Sequence, residues 1–248
     1  MSDKHRLAIV GCGGHARFNL ATHWETIPAI EPVGACDVNP ESVASFAEAY
    51  GIKNAYTDLS TMLSEQKPDI LIVASWPSSH MENVLEGVRG GVRAIFCEKP
   101  FALNATQASE MVQAAKSANV ILMEGFMFRY HPQTLAVKQR LDEGAVGDIR
   151  YMRATFSSGS GNRTNWRQRH ELGGGAAMDL GCYCLSGLRC LLGEPLSVSV
   201  TGQFDPIGEI WKTLIGTLHF EDGVIGQFDC SFGWPRRGSF EVVGDKGS

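Results

Sequence analysis

The sequence predicts an α/β domain built on a parallel sheet, followed by an α+β domain with an open, mostly antiparallel sheet. Three observations carry that expectation. Up to about residue 125, short apolar runs alternate with helix-like stretches, as strands covered on both faces by helices do. Beyond that point come longer strand-like runs, at 196–204, 210–220, 223–232 and 239–244. Between two of them, "FEDGV" sets Asp222-Gly223 where a hairpin turn belongs. The boundary is expected near 124/125, giving a nucleotide-binding domain at 1–124 and a substrate and oligomerisation domain at 125–248.

In the first half, Leu7–Val10 is a short strand followed by "GCGGHA", and residues 31–36 form a second strand. "NPESVASFAEAYG" is a helix, with Asn39 as N-cap, Pro40 at the first position and Gly51 past the end. Residues 69–75 are a buried strand, 79–90 a helix and 92–97 a strand. Asn104 caps a helix running to about Ala118, and 120–125 is one more strand. In the second half a helix is expected over Pro132–Glu143 and a strand over 149–157. A Gly-, Ser-, Asn- and Arg-rich loop follows at 158–172, then a helix at 174–191.

Of 248 residues, 44% are hydrophobic and 20% charged, an ordinary globular composition with a net charge of −5. That charge gives no reason to expect nucleic acid or an anionic membrane as partner. No apolar run approaches a membrane span, and "MSDKHRLAIVG" enters a strand too soon for a signal peptide. Seven scattered cysteines without a C-x-x-C pair fit a reducing cytoplasm better than a disulfide framework, and neither they nor the histidines show metal-ligand spacing.

"GCGGHA" reads G-x-G-x-x-A. Gly11 permits the tight turn, Gly13 lets a pyrophosphate approach the backbone, and Ala16 lets helix and strand pack closely. The motif follows a strand and opens a helix, the context that gives it meaning. Gly14 and His15 lie in the same loop. Asp37 ends the second strand, where a carboxylate accepts the ribose hydroxyls of NAD and repels the 2′-phosphate of NADP. NAD is therefore expected ahead of NADP.

"CEKP" ends the strand at 92–97, and ligands of an open parallel sheet sit beyond the carboxyl ends of its strands. Lys99 is thereby expected to face the crevice shared by Gly13 and "SWPSSH", which makes Ser75, Trp76, Pro77, His80 and Glu98 candidate cofactor neighbours. His80 can equally cap its own helix, and Pro100 permits a cis bond after Lys99. In "GGGAAMDLGCYC", Asp179 and Tyr183 are four apart on one helical stripe, whereas Ala176, Leu180, Cys184 and Leu188 look like core. A carboxylate and a phenol meeting Lys99 would suit alcohol oxidation, with either Tyr183 or Lys99 as base and Asp179 orienting. The plainer readings are a solvated Asp179 and a core Tyr183.

At these residues the sequence resembles the glucose–fructose oxidoreductase / inositol dehydrogenase / MocA oxidoreductases. The matching segments, in order, are "GCGGHA", "CDVNP", "ASWPSSH", "EKP", "EGFMFRYHP" and "GGGAAMDLGCY". The resemblance implies a Rossmann domain, a substrate domain whose open sheet mediates homo-oligomers, a cis bond before Pro100, and Lys99 and Asp179 at the reaction centre. Tyrosine at 183 resembles the xylose and dihydrodiol dehydrogenase branch, where it carries the proton. That branch usually prefers NADP, so its habit and the local charge disagree at Asp37; the charge is followed here. By position, Arg129, after the strand at 120–125, is a candidate cofactor neighbour, and Trp166 and Arg167 in "TNWRQRH" are candidate substrate residues.

Family members normally continue past the strand seen here as "FEVVGDKGS" and add strands and a helix. The sequence therefore reads as a fragment or a short form, with the C-terminal part of the second domain missing. The leading expectation is an NAD(P)-dependent dehydrogenase acting on a sugar, polyol or related diol. Alternatives are a catalytically idle NAD(P)-binding regulator and an NAD-dependent, redox-assisted glycosidase. The alternation of residues 211–220 leaves apolar side chains on both sheet faces, one covering helices and the other expected to meet a second subunit.

Overall fold

A computed structural model describes residues 4–159 and 165–248. The part of the 158–172 loop at 160–164 lies outside the described residues. The chain divides into two compact units, Met1–Gly125 and Phe126–Ser248.

The first unit carries a six-stranded parallel sheet in the order β3-β2-β1-β4-β5-β6. Its strands are β1 (His5–Val10), β2 (Ile30–Cys36), β3 (Ala55–Tyr56), β4 (Ile70–Val73), β5 (Ala94–Cys97) and β6 (Ile121–Glu124). Its helices are α1 (Pro40–Ala49), α2 (Leu59–Gln66), α3 (His80–Arg89) and α4 (Ala105–Ser117). Side chains alternate across a strand, so β1 feeds two cores. Ala8 and Val10 join Leu71, Ile95 and Met111 on one face, and Leu7 and Ile9 join Trp24, Val43 and Phe46 on the other. The caps are those the sequence predicts: Asn39 Oδ1 accepts from the Glu41 and Ser42 amides, and Asn104 Oδ1 from Gln107.

One element differs from expectation. The segment after "GCGG" is not a regular α-helix: Ala16–Leu20 has π geometry, closed by Ala21 N–H donating to Ala16 O, and Ala21–Thr26 is a 3₁₀ turn. Tyr50 Oη donates to the Arg17 carbonyl at 2.5 Å, drawing that oxygen away from the ladder.

The second unit carries α5 (Pro132–Asp142), β7 (Ile149–Ser157), α6 (Cys182–Leu192), β8 (Ser197–Asp205), β9 (Ile210–His219), β10 (Ile225–Ser231) and β11 (Arg237–Gly244). The sheet order is β11-β7-β10-β9-β8, antiparallel except where β10 pairs β7. Asp222 and Gly223 both have positive φ, at 56° and 74°, and Val224 N–H donates to Glu221 O, so the β9–β10 turn is type I′. Ala176, Leu180, Cys184 and Leu188 are buried against Met152, Ala154, Leu218 and Phe228, as the sequence predicts.

The opposite sheet face is more polar than expected. Trp211 and Ile215 on β9 are indeed exposed. Across β7, β10 and β11, however, that face carries Tyr151 bonded to Gln227, and Arg153 and Arg237 both paired with Asp229. The alternation of β9 alone could not show its neighbours' polarity. Among the described residues, no helix is long and apolar enough to cross a membrane.

Candidate active site

In the first unit the site is built at the carboxyl ends of the central strands, around the point where the strand order reverses between β1 and β4. Gly11 ends β1 with φ +93°, and a Cβ there would stand 2.5 Å from the Ala74 carbonyl carbon and press on Ser75 N. Only glycine fits that turn. Gly13 and Gly14 are exposed, and a Cβ on Gly13 would meet nothing within 4 Å, so the loop backbone is open to an approaching group. Ala16 is buried.

Asp37 fastens this loop to the end of β2. Its Oδ2 accepts from Cys12 N–H at 2.7 Å and its Oδ1 from Asn39 N–H at 2.9 Å. A carboxylate has about four acceptor positions, so it can still receive two ribose hydroxyls. Arg17, the nearby cation, is engaged elsewhere: its Nη2 donates to Ser42 O at 2.8 Å and Ser45 Oγ at 2.6 Å, and its guanidinium lies over the Phe46 ring. An open backbone cradle, an aimed carboxylate and a committed arginine fit the adenosine half of NAD.

Lys99 follows β5 by two residues, and its bond to Pro100 is cis. The turn is fixed by two acids. Glu98 is buried and its Oε2 accepts from Lys99 N–H at 3.1 Å, while Glu124 Oε1 accepts from Phe101 N–H at 3.1 Å. His15 Nε2 stands 3.0 Å from Glu98 Oε1 without a formed hydrogen bond. Glu98 thus lies between the phosphate loop and the lysine turn. Gly125 permits it, since a Cβ there would lie 3.1 Å from the Glu98 carboxyl carbon.

Ser75, Trp76 and Pro77 form the β4–α3 connection, with Trp76 exposed, Pro77 buried and Ser75 Oγ accepting from Asn83 Nδ2 at 2.9 Å. His80, a candidate cofactor neighbour or helix cap, opens α3 behind Ser79 and does not reach the surface. It is fully buried, with Nδ1 2.9 Å from Pro100 O and Nε2 3.0 Å from Ser75 O. It braces the Ser75 and Pro100 turns against each other. Burial holds its pKa below the ordinary imidazole range, outweighing those carbonyls. A histidine kept neutral in the fold protonates more readily when unfolded, so its contribution is present above about pH 6.5 and is lost as pH falls below that value. We expect His80→Leu to lower stability at pH 7.5 by about 2–3 kcal/mol through the lost carbonyl partner, and to flatten the acid limb of the denaturation curve. Urea melts at several pH values check both.

In the second unit, Asp179 is buried and belongs to a π segment, Ala177–Gly181, closed by Cys182 N–H donating to Ala177 O. The single α-helical stripe expected for Asp179 and Tyr183 is therefore interrupted: an i→i+5 turn does not stack residues four apart. Asp179 Oδ2 accepts from Arg167 Nε at 2.8 Å, and the Arg167 guanidinium lies 4.7 Å from the Trp166 ring centroid. Trp166 and Arg167 thus act on Asp179, a link that sequence spacing does not reveal. Tyr183 packs among Phe126, Phe128 and Phe156, with Oη 3.7 Å from Met127 Sδ. It lines a cavity of about 830 Å³ with Phe128, Phe156 and Phe240. Asp179 and Arg167 line an adjoining, more polar cleft of about 390 Å³ that shares Phe156 with it. Arg129 is exposed on the short turn Met127–Tyr130. Among the described residues no cluster of His, Cys, Asp or Glu could hold a metal.

Comparison with known proteins agrees with this architecture. Residues 5–126 match the model described as "Oxidoreductase family, NAD-binding Rossmann fold", and residues 134–248 match the GFO/IDH/MocA C-terminal domain. The chain is 31% identical over 251 residues to trans-1,2-dihydrobenzene-1,2-diol dehydrogenase of Mus musculus, covering 98% of this chain and 73% of that protein. It is 33% identical over 232 residues to D-apiose dehydrogenase of Paraburkholderia graminis, covering 91% of this chain and 60% of that protein. The solved structure of aldose-aldose oxidoreductase from Caulobacter crescentus, complexed with glycerol, matches with a TM-score of 0.91 at 25% identity, covering 97% of this chain and 74% of that one. Two family models together spanning nearly the whole chain, on a fold of the same kind, establish that the chain belongs to the GFO/IDH/MocA oxidoreductase family.

Proposed function

We propose that the protein is an NAD-dependent dehydrogenase that oxidises a secondary hydroxyl of a sugar, polyol or related diol, and reduces the corresponding carbonyl in reverse. The observation that carries this reading is that the open Gly13 loop, the Asp37 carboxylate and the Lys99 turn all lie at the carboxyl end of the parallel sheet. The dihydrodiol and apiose dehydrogenases to which the chain is similar support the substrate class.

In this reading the amides of Gly13 and Gly14 hold the pyrophosphate, and Asp37 takes the adenosine ribose. Nicotinamide, when bound, takes up or returns the hydride. Lys99 Nζ donates to the reacting oxygen of the substrate and stabilises it as the proton leaves. Tyr183 Oη carries that proton away. Asp179, anchored by Arg167, accepts from a substrate hydroxyl and orients it. The test is nicotinamide reduction over a panel of aldoses, inositols and cyclic diols. Steady turnover of at least one panel member is expected; tight NAD binding without turnover of any would contradict the reading.

Asp37 also sets the cofactor preference. A 2′-phosphate beside an uncompensated carboxylate costs several kcal/mol, so kcat/KM for NAD is expected to exceed that for NADP by about 100-fold or more. Asp37→Ser should narrow the ratio mainly through KM. Equal use of both cofactors by the unmodified protein would contradict the assignment.

Exposed Trp211 and Ile215, beside Phe204 on the neighbouring strand, support self-association through the second sheet. Light scattering is expected to give at least a dimer, and Ile215→Lys to weaken it. All seven cysteines are free, in keeping with a reducing compartment.

A further inference from the structure

The cleft that holds Asp179 carries more positive charge than the proposed chemistry needs. Arg167 is matched by Asp179, at 2.8 Å. A second guanidinium, Arg236, lines the same cleft and has no acidic partner among the described residues. Its neighbour Arg237 is a useful contrast. Successive residues of a strand point to opposite faces, and Arg237, which opens β11, pairs with the buried Asp229 at 3.2 Å on the polar sheet face. Arg236 stands just before that strand, on the other side. One arginine of the pair is committed to the fold and the other to the cleft.

The remaining walls would suit a sugar ring. Phe156 and Phe232 supply apolar surface for the C–H face of a ring. Asn165, whose Oδ1 is occupied by Arg167 N–H at 3.1 Å, keeps its amide N–H groups for hydroxyls. The volume, about 390 Å³, suits a single hexose-sized molecule.

Resting on the oxidoreductase reading above, we propose that the substrate is an acidic sugar, a uronate or aldonate, whose carboxylate is recognised by Arg236. Among the described residues of the cleft, Arg167 is paired with Asp179, which leaves the Arg236 guanidinium to meet an anionic group. A carboxylate matches that single guanidinium. Arg236 then determines substrate specificity, and its guanidinium presents the planar fork that a carboxylate accepts in pairs.

The test uses the full chain with NAD present. D-Glucuronate, D-galacturonate and D-gluconate are compared with D-glucose, D-galactose and a hexose phosphate, by calorimetric affinity and by nicotinamide reduction. At least one acid is expected to bind about 10- to 100-fold more tightly than its neutral parent. Arg236→Gln should remove most of that advantage while leaving the NAD affinity and the melting temperature unchanged, and Arg236→Lys should restore part of it. The proposal is overturned if no acid exceeds its parent, if the hexose phosphate is preferred, or if Arg236→Gln weakens acid and parent alike. The two readings fail separately. Acids that bind through Arg236 without any nicotinamide reduction would sink the dehydrogenase and keep the anion site. Reduction supported only by neutral sugars would do the reverse.

Discussion

Lys99→Met is expected to bind NAD with near-normal affinity and to turn over about 10²–10⁴-fold more slowly. Methionine keeps most of the apolar stem and loses the ammonium. The turn itself depends on other groups: Glu98 accepts from the Lys99 backbone amide, and Glu124 from that of Phe101. Neither bond involves the lysine side chain, and a melting curve beside the wild type checks that the variant is folded. The NAD contacts assigned to Gly13, Gly14 and Asp37 follow β1 and β2, away from the substituted side chain in sequence and in strand order. Loss should therefore fall on kcat, with the cofactor Kd nearly unchanged. Fluorescence titration with NADH and steady-state rates separate the two. A variant with wild-type turnover would remove the amine from the mechanism.

Gly11→Ala should cause the largest loss of stability. At φ +93° an alanine is already strained, and its Cβ would lie 2.5 Å from the Ala74 carbonyl carbon and 2.6 Å from Ala74 O. Those are backbone atoms at the end of a central strand and cannot turn away as a flexible side chain would. Strain and overpacking together imply a cost of about 3–5 kcal/mol, a large share of an ordinary domain's stability. Gly13→Ala is the control, since its Cβ would meet nothing within 4 Å. It should melt near the wild type and bind NAD more weakly. Comparable melting of both variants would contradict the assigned roles of the two glycines.

The parallel strands are legible in the sequence because burial on both faces makes them continuous apolar runs. Four residues such as "ILIV" at 70–73 need no periodicity to be recognised. Two elements escape that reading. β3 is only two residues long, and α2 is an eight-residue helix begun by Asp58. The glycine loop, Asp37 and Lys99 are legible because each follows a strand end. The ties among them are not, because side-chain geometry sets them: Cys12 N–H to Asp37, His15 against Glu98, and His80 between Ser75 and Pro100. The π turns at Ala16–Leu20 and Ala177–Gly181 leave no mark in composition, since the same residues form α-helix readily. Arg236 is hidden for a related reason. "PRRG" reads as two surface arginines until the strand that follows assigns them to different sides.

The central claim is that a hydrogen leaves a substrate carbon as hydride and arrives on nicotinamide. Isotope transfer tests it most directly. The protein is incubated with NAD and carbon-perdeuterated D-glucuronate, D-glucose or myo-inositol in ordinary water, and the reduced cofactor is weighed by mass spectrometry. The account predicts one deuterium in each dihydronicotinamide formed with at least one of these compounds. Reduced cofactor that carries only solvent hydrogen, or none formed with any of them, would contradict it.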